Sequence, residues 1–118
     1  MAKVLIVDDD SQLMEATAAL LESGGHTAVR ARNGAEGLRQ AKAQAIDVVV
    51  TDYMMPVMDG LQLARAIASD PALSGLPVVL VSAVATARSA TAVSACLRKP
   101  FAASQLLELV TRLAVHRP

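Results

Sequence analysis

The stretch VLIVDDDSQ, Val4–Gln12, decides the fold, because it joins a short apolar run directly to three carboxylates. The run Val4–Val7 has the length of a strand and no polar alternation, which is typical of a strand buried on both faces of a parallel sheet. Like charges at about 4 Å repel by about 4 kcal/mol at an effective dielectric of about 20. The sequence therefore predicts a central strand that ends at an acidic rim, with compensating positive charge nearby.

The same alternation of apolar runs and helical patterns continues to the end of the chain. The predicted strands are Val4–Val7, Thr27–Ala31, Asp47–Thr51, Val78–Val81 and a weak fifth strand within Ser94–Arg98. The predicted helices are Ser11–Ser23, Ala35–Ala43, Leu61–Ser69 and Ala103–His116. Strands that alternate with helices predict a parallel sheet with helices on both faces, in a single α/β domain that spans residues 1–118. The second strand is less apolar than the others, so we expect it near an edge.

Composition removes several function classes. The 118 residues carry eleven basic and eleven acidic side chains and no basic stripe, which argues against direct binding of nucleic acid. No apolar run approaches the roughly 20 residues of a membrane span, and the N-terminus lacks a signal-peptide layout, so a cytoplasmic protein is expected. The single cysteine, Cys96, excludes an internal disulfide and a multi-cysteine zinc site. We interpret it as a small packing residue.

Polar residues stand at the end of every strand that we expect to be central. Parallel sheets place their functional groups outside the carboxyl ends of the strands. Asp8 and Asp9 end the first strand, and Asp52 ends the third. Ser82 ends the fourth, and Lys99 follows the fifth. The topology therefore brings three carboxylates, a hydroxyl and an ammonium group to one rim.

This set of side chains predicts a site for Mg²⁺ and a phosphoryl group. Three carboxylates at one edge need a cation, and Mg²⁺ binds a few carboxylates together with waters and phosphate oxygens. Lys99 is a compact cation suited to a phosphoryl oxygen, and the Ser82 hydroxyl is a donor to another. If an aspartate is itself the acceptor, no further nucleophile is needed.

Other phosphate chemistries fit poorly. The chain has neither a G-x-x-x-x-G-K-[ST] loop nor a G-x-G-x-x-G turn after a strand. Haloacid-dehalogenase-type phosphatases also use an aspartate at a strand end, but they need a second acid two residues later. That position is Met54, whose side chain cannot act as an acid or base.

Four segments, in this order, resemble the receiver domains of response regulators in two-component signalling, the CheY-like superfamily. They are VLIVDDD, VVVTDYMMPVMDG, PVVLVSA and LRKPF, and the resemblance covers essentially the whole chain. It implies a flavodoxin-like (βα)5 doubly wound parallel sheet with strand order 2-1-3-4-5. It also implies a regulatory domain rather than an enzyme, phosphorylated by a histidine kinase or a histidine phosphotransfer protein.

The resemblance also implies a role for each residue of the rim. Asp52 matches the phosphoacceptor, Asp8 and Asp9 the metal pair, the main-chain carbonyl of Met54 a further Mg²⁺ ligand, Ser82 the switch hydroxyl and Lys99 the phosphate-binding lysine. Asp9 matches the more direct metal ligand of the acidic pair. The Lys99–Pro100 peptide matches one that is usually cis in the family, and proline makes a cis bond accessible.

Two features depart from the family pattern. Cys96 stands where the family usually has an aromatic switch residue, and only twelve residues, 83–94, join the fourth and fifth strands. A parallel crossover needs about a dozen residues or more, so we expect a shortened or irregular fourth helix. One hypothesis is that phosphorylation orders this segment. The alternative function is a receiver-like interaction module that signals through this divergent face independently of phosphorylation.

Two further acids are interpreted as helix starts rather than as ligands. Asp10 follows the metal pair by one residue, and we expect Asp10 or Ser11 to cap the first helix. Asp59–Gly60 is interpreted in the same way, as a turn and a helix cap.

Overall fold

The computed structural model describes residues 2–83 and 92–115. The strands are β1 (Lys3–Val7), β2 (Thr27–Ala31), β3 (Val48–Asp52), β4 (Val78–Ser82) and β5 (Ala95–Arg98). The helices are α1 (Ser11–Ser23), α2 (Gly34–Ala43), α3 (Gly60–Ser69), α4 (Ala103–Val115) and a 3-10 turn at Pro71–Leu73. Within this part of the chain, no helix has the length and apolar character needed to cross a membrane.

The five strands form one parallel sheet in the order β2-β1-β3-β4-β5, as the resemblance implied. β2 lies at an edge, which confirms the expectation from its weaker apolar character. β1, β3 and β4 lie inside the sheet. β1 and β4 each contain four consecutive buried apolar residues, and β3 contains three buried valines followed by a buried threonine. Continuous apolar runs therefore mark the strands that are covered on both faces.

The helices cover the two faces of the sheet in pairs. α1 and α4 pack on one face around buried side chains that include Ile6, Val50 and Leu106. α2 and α3 pack on the other face around Leu5, Val49 and further buried side chains. Successive residues of a strand point to opposite faces, so neighbouring apolar residues of one strand supply both cores.

Side chains of Asp or Asn cap three of the helices. The Asp10 carboxylate accepts hydrogen bonds from the backbone N–H groups of Gln12 and Leu13 at 3.0 and 3.1 Å. Asn33 caps α2, and Asp59 forms a capping box at the start of α3. The predictions for Asp10 and Asp59 as helix starts are therefore confirmed, and the cap of α1 is Asp10 rather than Ser11.

The sequence predictions differ from the structure at Cys96 and, by one residue, at the ends of several elements. Cys96 is exposed on the edge strand β5, so its interpretation as a packing residue is wrong. Among the described strands β5 is the last in the sheet order, and its burial alternates, with Cys96 and Arg98 exposed and Ala95 and Leu97 half-buried. The third strand is Val48–Asp52, one residue later than predicted, and α2 begins one residue early at Gly34. The expected fourth helix falls largely on residues 84–91, which lie outside the described residues.

Strand order fixes the place of the site. From β1 the chain crosses to β2 on one side, and the next crossover brings β3 to the other side of β1. The carboxyl ends of β1 and β3 therefore face a crevice at the point where the strand order reverses. Asp8 leaves β1 and Asp52 ends β3 at this crevice.

Candidate functional site

Two hydrogen bonds with backbone groups hold Asp8 at the end of β1. Its N–H donates to the carbonyl of Ala31 at 3.1 Å, and its Oδ1 accepts from the N–H of Asp10 at 2.9 Å. The residue is 8% exposed. Burial raises the pKa of the Asp8 carboxyl, and the nearby charges of Asp52 and Asp9 raise the pKa further, although the Asp10 hydrogen bond and Lys99 oppose them. A cation bound here would relieve the crowding of negative charge and would favour the ionised form of Asp8.

Asp52 and Lys99 form an ion pair across the crevice. The Lys99 Nζ lies 3.2 Å from Asp52 Oδ1, and the two side chains are 33% and 14% exposed. The Lys99 N–H donates to the carbonyl of Ser82 at 2.8 Å, so the backbone of the lysine continues the β4–β5 pairing. Lys99, which directly follows the edge strand β5, thus supplies the positive charge that the acidic rim needs.

The three acids of the rim lie close enough to share one ion. One carboxylate oxygen from each of Asp8, Asp9 and Asp52 falls within 4.8 Å of the other two. An all-oxygen donor set of this size, with one exposed member, suits a hard cation such as Mg²⁺ that keeps several waters. The carboxylates present therefore fit the metal that the sequence implies.

The remaining predicted residues lie at or just after the ends of β3, β4 and β5. Ser82 ends β4 and is 6% exposed, one residue beyond Val81, which pairs with Asp52 in the sheet. The Met54 side chain is 69% exposed in the β3–α3 connection, two residues after Asp52. The Lys99–Pro100 peptide is cis, as expected.

The connection between β3 and α3 contains a feature that the sequence analysis missed. Val57 has a φ of 70°, in the left-handed region that glycine and asparagine adopt more readily. Three residues later, Gly60 donates its N–H to the carbonyl of Tyr53 at 2.9 Å. A Cβ atom at Gly60 would overlap the carbonyl oxygen of Asp52. The close approach of α3 to the end of β3 therefore depends on glycine.

A cavity of about 330 Å³ opens beside the acids and was also missed. Its walls come from β1, α1, β3, β4 and the start of α4, so no single stretch of sequence reveals it. The lining residues are Ile6, Val7, Asp8, Leu13, Thr17, Val50, Asp52, Val81, Lys99, Pro100, Phe101 and Leu106. The one sequence feature that could have indicated the cavity is Leu13, an apolar residue outside the buried face of α1, which is 47% exposed.

Comparison with known proteins gives one consistent result. Residues 4–111 match the family model described as the response regulator receiver domain. Protein PilH of Pseudomonas aeruginosa is 39% identical over 82 residues, which are 70% of this chain and 68% of PilH. Two other curated relatives are much longer: the match spans 11% of the gliding motility regulatory protein of Myxococcus xanthus and 18% of the transcriptional regulatory protein GlrR of Escherichia coli.

The folds of solved structures match this chain over nearly its full length. The receiver domain of Francisella response regulator 1452 superposes with a TM-score of 0.90 at 27% identity and covers all of both chains. The response regulator TrrA of Thermotoga maritima, solved in complex with Mg(2+)-BeF, has a TM-score of 0.87 at 28% identity, covering 96% of this chain and 99% of that one. The family match, the strand order and the acidic crevice agree, and the chain belongs to the response regulator receiver domain family.

Proposed function

We propose that this chain is a phosphoacceptor receiver, a single domain over residues 1–118 that takes a phosphoryl group onto Asp52 in a Mg²⁺-dependent reaction. The donor is the phosphohistidine of a histidine kinase or of a histidine phosphotransfer protein. The observation that carries the proposal is the pairing of Lys99 Nζ with Asp52 Oδ1 at 3.2 Å inside a cluster of three carboxylates. The set combines an acceptor, a cation for the phosphoryl oxygens and a metal site within one crevice.

The reaction needs little from the protein beyond position and charge. A carboxylate oxygen of Asp52 attacks phosphorus, the P–N bond of the phosphohistidine breaks, and the imidazole leaves with the electron pair. Lys99 neutralises a phosphoryl oxygen in the transition state, and the Ser82 hydroxyl donates to another.

Asp8, Asp9 and Asp52, together with the main-chain carbonyl of Met54, are the proposed ligands of Mg²⁺. When bound, the ion would supply positive charge to the acids and to the phosphoryl oxygens. The structure of TrrA in complex with Mg(2+)-BeF supports this ligand class for the family.

The proposed output is a change in protein contacts, and Cys96 indicates how the output departs from the family pattern. The cysteine is exposed on β5 and has no ring to bury when the hydroxyl of Ser82 engages a phosphoryl group. We propose that the state of Asp52 is read through the β4–β5 side of the crevice without an aromatic switch. The proposed surface for contacts with a partner protein is therefore β5 and its neighbouring elements.

Intact mass spectrometry after incubation with phosphoramidate and Mg²⁺ tests the proposal. Phosphoramidate is a suitable donor because its P–N bond mimics phosphohistidine. We expect one phosphoryl adduct on the wild-type chain and none on Asp52→Asn or in the presence of a chelator. Asp59→Asn is the matched control, because asparagine also caps a helix and Asp59 lies outside the cluster. An adduct that persists in Asp52→Asn would overturn the assignment.

A further inference from the structure

We propose that Thr51 is a positioning residue for the reaction at Asp52. Its buried hydroxyl fixes the main chain that leads from the acceptor to Met54, and this strengthens the binding of Mg²⁺ by the main-chain carbonyl of Met54. The inference rests on the proposed phosphoacceptor function and assigns a role to a residue outside the acidic cluster. Within β3, three valines precede Thr51 and the acceptor follows it.

Thr51 carries a hydroxyl at a position where packing favours an apolar side chain. The residue is fully buried, and it shares a face of β3 with Val49, which belongs to the core beneath α2 and α3. Burying a hydroxyl costs free energy unless it makes a hydrogen bond. The Thr51 hydroxyl donates to the carbonyl oxygen of Asp52 at 3.0 Å. Valine has nearly the same shape and avoids this cost, so packing alone does not account for threonine here.

This hydrogen bond is one of three that fix two successive peptide groups after the acceptor. The peptide group between Asp52 and Tyr53 is held at both ends. Its carbonyl accepts from Thr51, and its N–H donates to the carbonyl of Val81 at 2.9 Å. The next peptide group is held through the Tyr53 carbonyl, which accepts from the N–H of Gly60 at 2.9 Å. Of these three contacts, only the one from Thr51 comes from a side chain, so a substitution can remove it without altering the backbone.

The carbonyl of Met54, a proposed Mg²⁺ ligand, directly follows these two peptide groups. Without the Thr51 hydroxyl, the first peptide group is free to rotate further about its mean orientation. Holding the Met54 carbonyl on the metal then costs conformational entropy that the wild-type chain has already lost on folding. The net strength of an ordinary hydrogen bond corresponds to about a twofold to tenfold change in an equilibrium constant. We therefore expect the hydroxyl to improve Mg²⁺ affinity about fivefold.

NMR titration with Mg²⁺ tests the inference without any transfer of a phosphoryl group. We expect the dissociation constant of Thr51→Val, which loses only the hydroxyl, to be about fivefold higher than that of the wild-type chain. Thr51→Ser keeps the hydroxyl and should stay within twofold of the wild-type value. A dissociation constant of Thr51→Val equal to that of the wild-type chain would overturn the inference.

The stabilities of the two variants separate positioning from packing, because they should change in the opposite order. Thr51→Ser deletes a buried methyl group and leaves a cavity, whereas Thr51→Val keeps the volume. A purely structural role therefore predicts weaker Mg²⁺ binding by Thr51→Ser than by Thr51→Val, and that order would contradict the inference. Val49→Ala is the matched control for damage to the same face of β3. It should lower the free energy of unfolding in urea and leave the Mg²⁺ dissociation constant unchanged.

The Mg²⁺ dependence of labelling by phosphoramidate gives a second readout. We expect Thr51→Val to need about fivefold more Mg²⁺ for half of its maximal rate. Its maximal rate at saturating Mg²⁺ should lie within twofold of the wild-type rate, because Asp52 and Lys99 are unchanged. An unchanged half-saturating concentration, whatever the maximal rate, would overturn this inference and leave the proposed function standing. If the wild-type chain gives no adduct, the proposed function fails and this inference fails with it.

Discussion

Val57 combines a φ of 70° with a fully exposed side chain, which makes it a source of strain without compensating contacts. The left-handed conformation costs a residue with a Cβ atom about 1–2 kcal/mol, and a β-branched residue adopts it rarely. Glycine removes that cost but adds about 0.5–1 kcal/mol of entropy to the unfolded chain. We therefore expect Val57→Gly to raise the free energy of unfolding by roughly 0.5–1 kcal/mol, measured by urea denaturation. Val57→Ala keeps the Cβ atom but removes the β-branch, so it should recover only part of this gain. A glycine variant no more stable than the alanine variant would contradict this explanation.

Met54 presents an apolar side chain, 69% exposed, two residues after the proposed acceptor. Hydrolysis of an aspartyl phosphate needs a positioned water, and a thioether does not orient one as an amide does. We expect slow loss of the phosphoryl group from the wild-type chain and a several-fold faster loss from Met54→Asn. The decay of the adduct followed by intact mass measures both rates, with Met54→Leu as the control that stays apolar. Faster decay in the wild type than in Met54→Asn would disprove the role of this position.

The three consecutive acids show where reasoning from single residues succeeds. Asp10 caps α1 through hydrogen bonds to residues two and three positions later, so the local sequence was sufficient to separate it from Asp8 and Asp9.

Cys96 shows where reasoning from a single residue fails. Its composition-based interpretation ignored that β5 is an edge strand, and burial at an edge depends on the neighbouring elements rather than on the residue itself.

At the scale of elements, the junction between β3 and α3 depends on Gly60. A Cβ atom there would overlap backbone of Asp52 as well as a methyl group of Leu80, and backbone cannot move without displacing the strand end. We expect Gly60→Ala to lower the free energy of unfolding by about 3 kcal/mol. Gly24→Ala is the matched comparison, because its Cβ atom would mainly meet the flexible end of Leu107, and it should cost about 1 kcal/mol or less. Equal losses in the two variants, measured by urea denaturation, would show that the close approach is not the cause.

His26 connects three elements and gives stability a pH dependence. Its buried ring accepts a hydrogen bond from the N–H of Ala2 at Nδ1, 3.0 Å away, and Nε2 lies 3.5 Å from the Thr111 hydroxyl of α4. Burial lowers the pKa of His26 below its usual value of about 6.5, and the charge of the N-terminus lowers the pKa further. Because the folded state favours the neutral ring, the unfolded chain binds more protons below pH 6.5. The stabilisation is therefore complete above about pH 6.5 and is lost as the pH falls toward the lowered pKa of the folded state.

Urea denaturation at pH 7.5 and 5.5 tests this linkage. We expect the wild-type chain to lose more unfolding free energy between these two pH values than His26→Gln, in which the ring no longer titrates. The carboxylates titrate in both proteins and cancel in the comparison. An equal loss in both proteins would exclude His26 as the source of the pH dependence.

At the scale of the whole molecule, the site could be predicted because topology, rather than detailed packing, assembles it. Parallel strands bring their carboxyl ends to one edge, so residues as distant in sequence as Asp8, Asp52 and Lys99 had to converge once the alternation of strands and helices was recognised. The observed 3.2 Å pairing of Lys99 with Asp52 is the result of that convergence. The apolar cavity could not be predicted, because it depends on the gap left between α1 and α4, which side-chain packing sets.

The convergence of three carboxylates should make the free energy of unfolding of the whole molecule depend on a bound cation. Three carboxylates whose oxygens lie within 4.8 Å repel one another, and a cation that binds only the folded chain stabilises that chain by mass action. At a Mg²⁺ concentration tenfold above the dissociation constant, we expect the free energy of unfolding to rise by about 1.4 kcal/mol relative to NaCl of equal ionic strength. Asp9→Asn removes an exposed member of the cluster at little structural cost and should abolish most of this rise. Glu108→Gln, which changes an exposed acid on α4, should keep it. If Mg²⁺ stabilised both variants equally, the ion would act on general surface charge and not at the crevice where the strands end.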